Sequence, residues 1–210
     1  DQELVESLAF EWGYECCSIM LNDYDKSKGN FQQWARKQRY QIFEDLKKEF
    51  SADGIAVAHH KDDQVETILY KMFRGAAPDT WTGMCMIENS IFRPLLNISK
   101  AEILKYCEEN VVPFREDESN RTSKYARNLI RNEISDSLTE LIPGWQKNIL
   151  NLQQFGLLNE LAISEIVGKV ASGNHMQIQF LEQMPILLRQ AVLRKFLEDH
   201  YQFITGGQLS

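Results

Sequence analysis

A chain of 210 residues with 43% apolar and 25% charged residues is long enough for one large domain, or for a medium domain with a small appendage. No apolar run reaches the roughly 18 residues that a membrane-spanning helix needs, and a net charge of −7 argues against binding nucleic acid by bulk electrostatics, though a local basic patch remains open. Cys16, Cys17, Cys85 and Cys107, with no Cys-x-x-Cys, speak against a disulfide framework or a zinc site and read as buried thiols in a reducing cytosol.

The chain opens at Asp1, without an initiator Met and already in a helical pattern, so its start is expected to be a cut end. Leu4, Val5 and Leu8 form an apolar stripe that Gly13 stops, and residues 16–21 predict a short buried strand. Residues 23–30 are polar, and Asn30 suits an N-cap. Phe31, Trp34, Ala35, Ile42, Phe43 and Leu46 then share one side of a long helix. After Gly54, the run Ile55, Ala56, Val57, Ala58 is too short for a helix and apolar on both sides, the pattern of a central parallel strand. Val65, Ile68, Leu69, Met72 and Phe73 follow the clearest helical period in the chain, and Gly75 ends it.

Residues 76–98 are irregular, with a hairpin expected around Glu88, Asn89 and Ser90 and a strand exit at Arg93-Pro94. Ser99 and Glu102 form a capping box for a helix carrying Ile103, Leu104 and Cys107, and residues 111–114 suit a further short strand. From about Tyr125 the pattern is nearly all helix. Its expected core is Leu150, Leu152, Phe155, Leu157, Leu158 and Leu161, with Leu187, Leu188, Val192 and Phe196. Pro143-Gly144 punctuates the chain, so the reading is an α/β domain of βαβ type at 1–135, a linker at 136–143 and a small all-helical domain at 144–210.

The chemistry-bearing stretch runs from Ala58 through His59, His60, Lys61, Asp62, Asp63, Gln64 and Val65 to Glu66 and Thr67. It joins a strand end to a helix start, and in open α/β sheets ligands bind at the carboxyl ends of strands. Asp63 and Glu66, three apart, share one face of the first helical turn. Val65 and Ile68 are expected to face the core, which turns that acidic pair away from it. Two neighbouring carboxylates suit a primary ammonium or a metal ion. They equally suit capping, with Asp62 or Asp63 at the helix start and Glu66 completing a box. His59 and His60 read either as site residues or as satisfied polar groups at a strand end.

The run AHHKDDQVETILYKMFRG at 58–75 resembles a signature of the tRNA(Ile)-lysidine synthetase family. WARKQRY at 34–40 stands upstream, and RPLL at 93–96, EDESN at 116–120 and YARNLIR at 125–131 follow in that family's order. The family belongs to the PP-loop ATP pyrophosphatases. The resemblance implies an adenine-nucleotide-hydrolase-like parallel sheet with helices, and ATP, Mg²⁺, L-lysine and tRNA(Ile) as ligands. In that chemistry the anticodon-first cytidine is adenylylated and the ε-amine of lysine displaces AMP. It implies Asp63 and Glu66 as catalytic residues that hold the ammonium nucleophile, one of them accepting a proton. His59, His60, Arg36 and Arg74 are the residues expected at the nucleotide, with Arg39, Lys124, Arg127 and Arg131 at the tRNA. Arg74 suits equally the negative end of its helix dipole, and Arg127 with Arg131, one turn apart, suit equally a solvated basic face.

The family's Ser-Gly-Gly-x-Asp-Ser loop, which offers backbone N–H groups to pyrophosphate, is not in this sequence, whose Ser172-Gly173 pair lies in the helical tail. The expectation is therefore a truncated α/β domain lacking the first strand and phosphate loop, inactive as it stands, cytoplasmic, and prone to form a homodimer through the sheet position left open. Alternatives are a tRNA thiolase of the same superfamily, a metal-dependent hydrolase built on His59, His60, Asp62 and Asp63, and a module that only binds. No metal ligands are assigned in the main reading.

Overall fold

The protein's structure, a computed structural model, describes residues 2–21, 24, 31–115 and 129–200. The expected Asn30 cap, the EDESN motif, Lys124 and Arg127 lie outside the described residues. The described residues fall into two compact units, one drawn from 1–62 and 85–128, the other from 63–84 and 129–210.

In the first unit, helix α1 (Gln2–Glu11) ends at Gly13, whose φ of +73° is the left-handed turn that glycine adopts without strain. Residues 16–21 form no strand, and Cys16 and Cys17 are exposed. Among the described residues no ladder partner lies beside that segment. Its tie to α1 is the Ser18 hydroxyl, which donates to Glu6 Oε1 at 2.6 Å. Cys85 is also exposed and Cys107 half-buried, so the expectation of buried thiols is corrected. A small apolar residue in a short run reports a hydrophobic pattern but not whether another element covers it.

Helix α2 (Phe31–Glu49) precedes strand β1 (Ile55–Ala56). Strands β2 (Ile87–Glu88) and β3 (Ile91–Phe92) form the expected hairpin, and Asn89 and Ser90 both have positive φ, as a two-residue primed turn demands. The sheet order is β1-β3-β2, with β1 parallel to β3 in the register Ile55 to Ile91. The central strand is thus β3, whose Ile91 is buried, and not β1, whose Ala56 is exposed. Gly54 is needed at the entry to β1: a Cβ there would lie 2.9 Å from the Ser90 carbonyl oxygen, which accepts the Ile55 amide.

Arg93, 3% exposed at the exit of β3, fastens the hairpin by donating from Nη1 to the Cys85 carbonyl at 2.7 Å. Helix α4 (Lys100–Glu109) carries the complete Ser99–Glu102 capping box that the sequence announced. Residues 111–114 are not a strand; Val111, at φ +53°, turns the chain out of α4 and is fully in water.

Helix α3 (Lys61–Phe73) supplies most of its length to the second unit. It closes in a Schellman motif, the Gly75 amide donating to Met72 and the Ala76 amide to Lys71. A π-helical segment (Ile130–Ile134) leads into α5 (Ser135–Leu141) and the long α6 (Trp145–Val170). The hairpin of β4 (Ala171–Ser172) and β5 (His175–Met176) follows, with Gly173 in its turn, then α7 (Ile178–Glu182) and α8 (Ile186–His200).

Val65, Leu69, Ile130 and Trp145 make one buried cluster, and Ile163, Val167, Val170, Leu181, Val192 and Phe196 make another. The expected leucine core of α6 is corrected: Phe155, Leu158 and Leu161 are exposed, as is Leu187 of α8. Trp145, Gly156, Ile163 and Val167 recur at helical spacing on another face, and that face is the one turned inward. Gly156 decides it, because a Cβ there would sit 3.0 Å from the Pro78 carbonyl oxygen and the Trp81 carbonyl carbon. The loop 76–84 is laid against this glycine. Gln153 donates to the Thr82 carbonyl at 2.8 Å, Lys71 to that of Thr80 at 2.6 Å, and Arg194 pairs with Asp79.

Both Gly156 and Gly168 lie within α6, and replacing a helical glycine by alanine ordinarily stabilises by about 0.5–1 kcal/mol. At Gly168, where an added Cβ meets nothing within 4 Å, that gain is expected in full. At Gly156 the crowded loop cancels or reverses it. Denaturant titration of the two variants measures the contrast, and equal stabilisation would remove the close approach as a constraint.

Candidate active site

Asp63 and Glu66 lie one turn apart on α3, and a single guanidinium spans them. Arg131 Nε donates to Glu66 Oε1 at 2.7 Å, and its Nη2 donates to Glu66 Oε2 and Asp63 Oδ1, each at 3.1 Å. This is the two-pronged carboxylate recognition that arginine's planar fork allows. Glu66 is 5% exposed, which corrects the expectation that the acidic pair faces away from the core. The reason lies in the π-helical segment: Ile130 packs on Val65 and Leu69 while the next residue, Arg131, covers the carboxylates. Among the described residues, this group brings two formal negative charges and one positive together.

Gln64, between the two acids, is 3% exposed. Its amide nitrogen donates to the Met84 carbonyl at 2.9 Å, and its oxygen accepts the Met84 amide at 2.7 Å. Gly83, at φ +68°, makes room for it, since a Cβ there would fall 2.7 Å from the Gln64 side chain. Sequence reasoning passed over this clamp; the signal available was an uncharged amide placed between two acids on the inward side of a helix.

In the first unit, α2 and the carboxyl end of β1 enclose a cleft of about 380 Å³ lined by Arg36, Arg39, Tyr40, Phe43, Ala56, Val57, Ala58 and His59. Three of the expected site residues, Arg36, Arg39 and His59, therefore meet in one place. The Arg36 guanidinium lies 4.9 Å from the centre of the Tyr40 ring and donates to its hydroxyl at 3.3 Å. Guanidinium groups beside aromatic rings and a strand end form a surface for phosphate and a planar base. Arg74, past the last residue of α3, is exposed and stacks on Tyr70.

Asp62, weighed as a cap for its own helix, instead serves another one. Its Oδ2 accepts the Lys100 amide at 2.8 Å, in the first turn of α4, and lies 3.5 Å from His60 Nδ1. Contact with the His60 ring is the largest influence on this carboxyl and, with the Lys100 amide, outweighs burial, holding its pKa at about 2 against an ordinary 3.8. Among the described residues no group of three or more His, Cys, Asp or Glu side chains is placed to hold a metal ion, so the metal-hydrolase reading gains no support.

The depressed Asp62 value fixes a sign. The stabilisation is fully present above the ordinary value of 3.8 and is lost as pH falls toward about 2. Acid titration of folding is expected to show this decline in the native protein and a shallower one in Asp62→Asn. Identical acid limbs would remove the link between α3 and α4 as an electrostatic one.

Residues 1–138 match the family model described as the PP-loop domain. Among curated proteins, the tRNA(Ile)-lysidine synthase of Bacillus thuringiensis subsp. konkukian is 32% identical over 226 aligned positions, covering 100% of this chain and 48% of that protein. The protein of the same name from Bacillus subtilis is 39% identical, covering 67% of this chain and 31% of its own length. That of Staphylococcus epidermidis is 40% identical over 57% of this chain and 29% of its own. This chain spans about half the length of the first of these relatives, and their shared name favours neither the thiolase nor the hydrolase alternative. With its α/β first part, its ordered motifs and a family match over most of its length, the chain belongs to the PP-loop domain family.

Proposed function

We propose that this chain is part of an ATP-dependent tRNA(Ile)-lysidine synthase, a cytoplasmic ligase that adenylylates the anticodon-first cytidine and then joins lysine to it with loss of AMP. The observation that carries the reading is the pair of half-buried Asp63 and buried Glu66 shared by Arg131. Carboxylates beside one guanidinium match the head of an amino acid, whose ammonium and carboxylate sit on one carbon. Lysine bound by its head on Asp63, Glu66 and Arg131 extends its ε-amine away from the pair as the nucleophile. The sequence-based expectation, in which the pair holds the ε-ammonium and takes its proton, employs the carboxylates and leaves Arg131 to the tRNA.

The cleft of Arg36, Arg39, Tyr40 and His59 supports the nucleotide half of the reaction. Its guanidinium groups suit phosphate oxygens and its rings suit a base; Arg39 remains the group assigned to tRNA, with Lys124 and Arg127 beyond the described residues. Mg²⁺, which would neutralise the polyphosphate of bound ATP, belongs to the proposal through ATP alone, and no residue is assigned to it. Arg131, expected at tRNA, is reassigned here to lysine.

Full-length protein supplied with ATP and labelled lysine is expected to transfer lysine to tRNA(Ile). Asp63→Asn and Glu66→Gln, each removing a charged hydrogen bond to the ligand, are expected to raise the KM for lysine about 10- to 100-fold while the KM for ATP holds. Cadaverine, which has the amines but no carboxylate, separates the two binding modes. It replaces lysine poorly if Arg131 holds the carboxylate, and well if the pair holds only an ammonium. Absence of transfer by intact, folded full-length protein would sink the function.

A further inference from the structure

The π-helical segment that carries Arg131 has a specific fastening. Ser135 lies five residues after Ile130, and its amide donates to the Ile130 carbonyl, the hydrogen bond that makes the turn wide. The Ser135 hydroxyl donates to the same oxygen at 2.7 Å. Both acceptor directions of one carbonyl are therefore taken by one residue. Ser135 is itself tied down: its carbonyl accepts the Thr139 hydroxyl at 2.8 Å, and that hydroxyl accepts the Trp145 indole N–H at 3.0 Å. Trp145 packs in the same buried cluster as Ile130, Val65 and Leu69.

The geometry explains why the turn matters. On α3, the mean bearing of Val65 and Leu69 lies roughly 110° from that of Asp63 and Glu66, as positions of an ideal helix require. Consecutive residues of a facing helical segment are splayed by a similar angle. Ile130 can then lie on the apolar face while Arg131 lies on the acidic one, provided the backbone between them is held in one phase. A rotation of the segment that kept Ile130 buried less well would carry the guanidinium off both carboxylates.

We infer that Ser135 is a positioning residue for the amino-acid site: by fixing the Ile130 carbonyl through its hydroxyl and amide, it holds the phase of the π-turn that aims Arg131 at Asp63 and Glu66. This inference rests on the proposed lysine site and adds a residue that does not touch the ligand. Ser135→Thr keeps the hydroxyl and the function; Ser135→Ala leaves the amide bond alone and lets the turn relax toward regular α-helix.

The test is lysine affinity of the full-length protein by calorimetry, with ATP affinity and melting temperature measured beside it. Ser135→Ala is expected to weaken lysine about fivefold, the worth of one hydrogen bond passed on to the ligand, with ATP affinity unchanged. Ser135→Thr is expected to restore it. In an Arg131→Lys background, where the two-pronged contact is already lost, Ser135→Ala is expected to add nothing. Unchanged lysine affinity in Ser135→Ala would overturn the inference, as would an equal loss in both backgrounds, or parallel losses of lysine and ATP that track the melting temperature. Asp63→Asn separates this failure from that of the site: if it weakens lysine while Ser135→Ala does not, only the positioning role falls, and if neither does, the lysine site falls with it.

Discussion

A carboxylate removed from water must find a partner or give up its charge. Glu66 is 5% exposed, and Arg131 meets it from a segment 65 residues further along the chain. Much in the second unit follows from that need. Around that pairing Ile130 seats on Val65 and Leu69, the backbone widens into a π-turn, and Trp145 closes the cluster from α6. A hydrophobic pair in place of these charges would pack with less desolvation. The proposed lysine site is consistent with the retention of two acids and one guanidinium in so covered a place.

The same helix divides its labour by residue. Val65, Ile68 and Leu69 are apolar anchors, Gln64 clamps the backbone at Met84, and Asp62 serves the start of α4. Four consecutive side chains, from Asp62 to Val65, thus take four different tasks: a helix start, a shared guanidinium, a backbone clamp and a core. A helix places neighbours about 100° apart, so a dense motif is the economical way to bind in several directions at once. Substitution within it disturbs neighbouring functions that share no chemistry.

What the sequence made legible was local. The period of α3, the length of α2, the Ser99–Glu102 box, the Asn89-Ser90 turn and the glycine stops at Gly13 and Gly75 all depend on residues within a few positions of one another, and each is present. The misreadings concern what covers what. Residues 16–21 and 111–114 have strand-like composition but no ladder, and β1 looked central because alanine counts as apolar wherever it points. In α6 the leucines drew attention, whereas Gly156, with no side chain to count, set the inward face. For the candidate site, the acidic pair stood out at once. The burial of Glu66 did not, because no helical period contains a partner 65 residues away.

The loop at 76–84 has a consequence for synthesis on the ribosome. Its fastenings come late: Gln153 is 71 residues beyond Thr82, and Arg194 is 115 beyond Asp79. During elongation Pro78, Trp81 and the carbonyls around them emerge long before α6 and α8 exist to receive them. Domains generally fold as units as the chain is made, and exposed apolar surface in the interim invites wrong partners. This segment must therefore wait in solvent, and the polar Asp79, Thr80 and Thr82 among its residues keep it compatible with water until α8 has been translated.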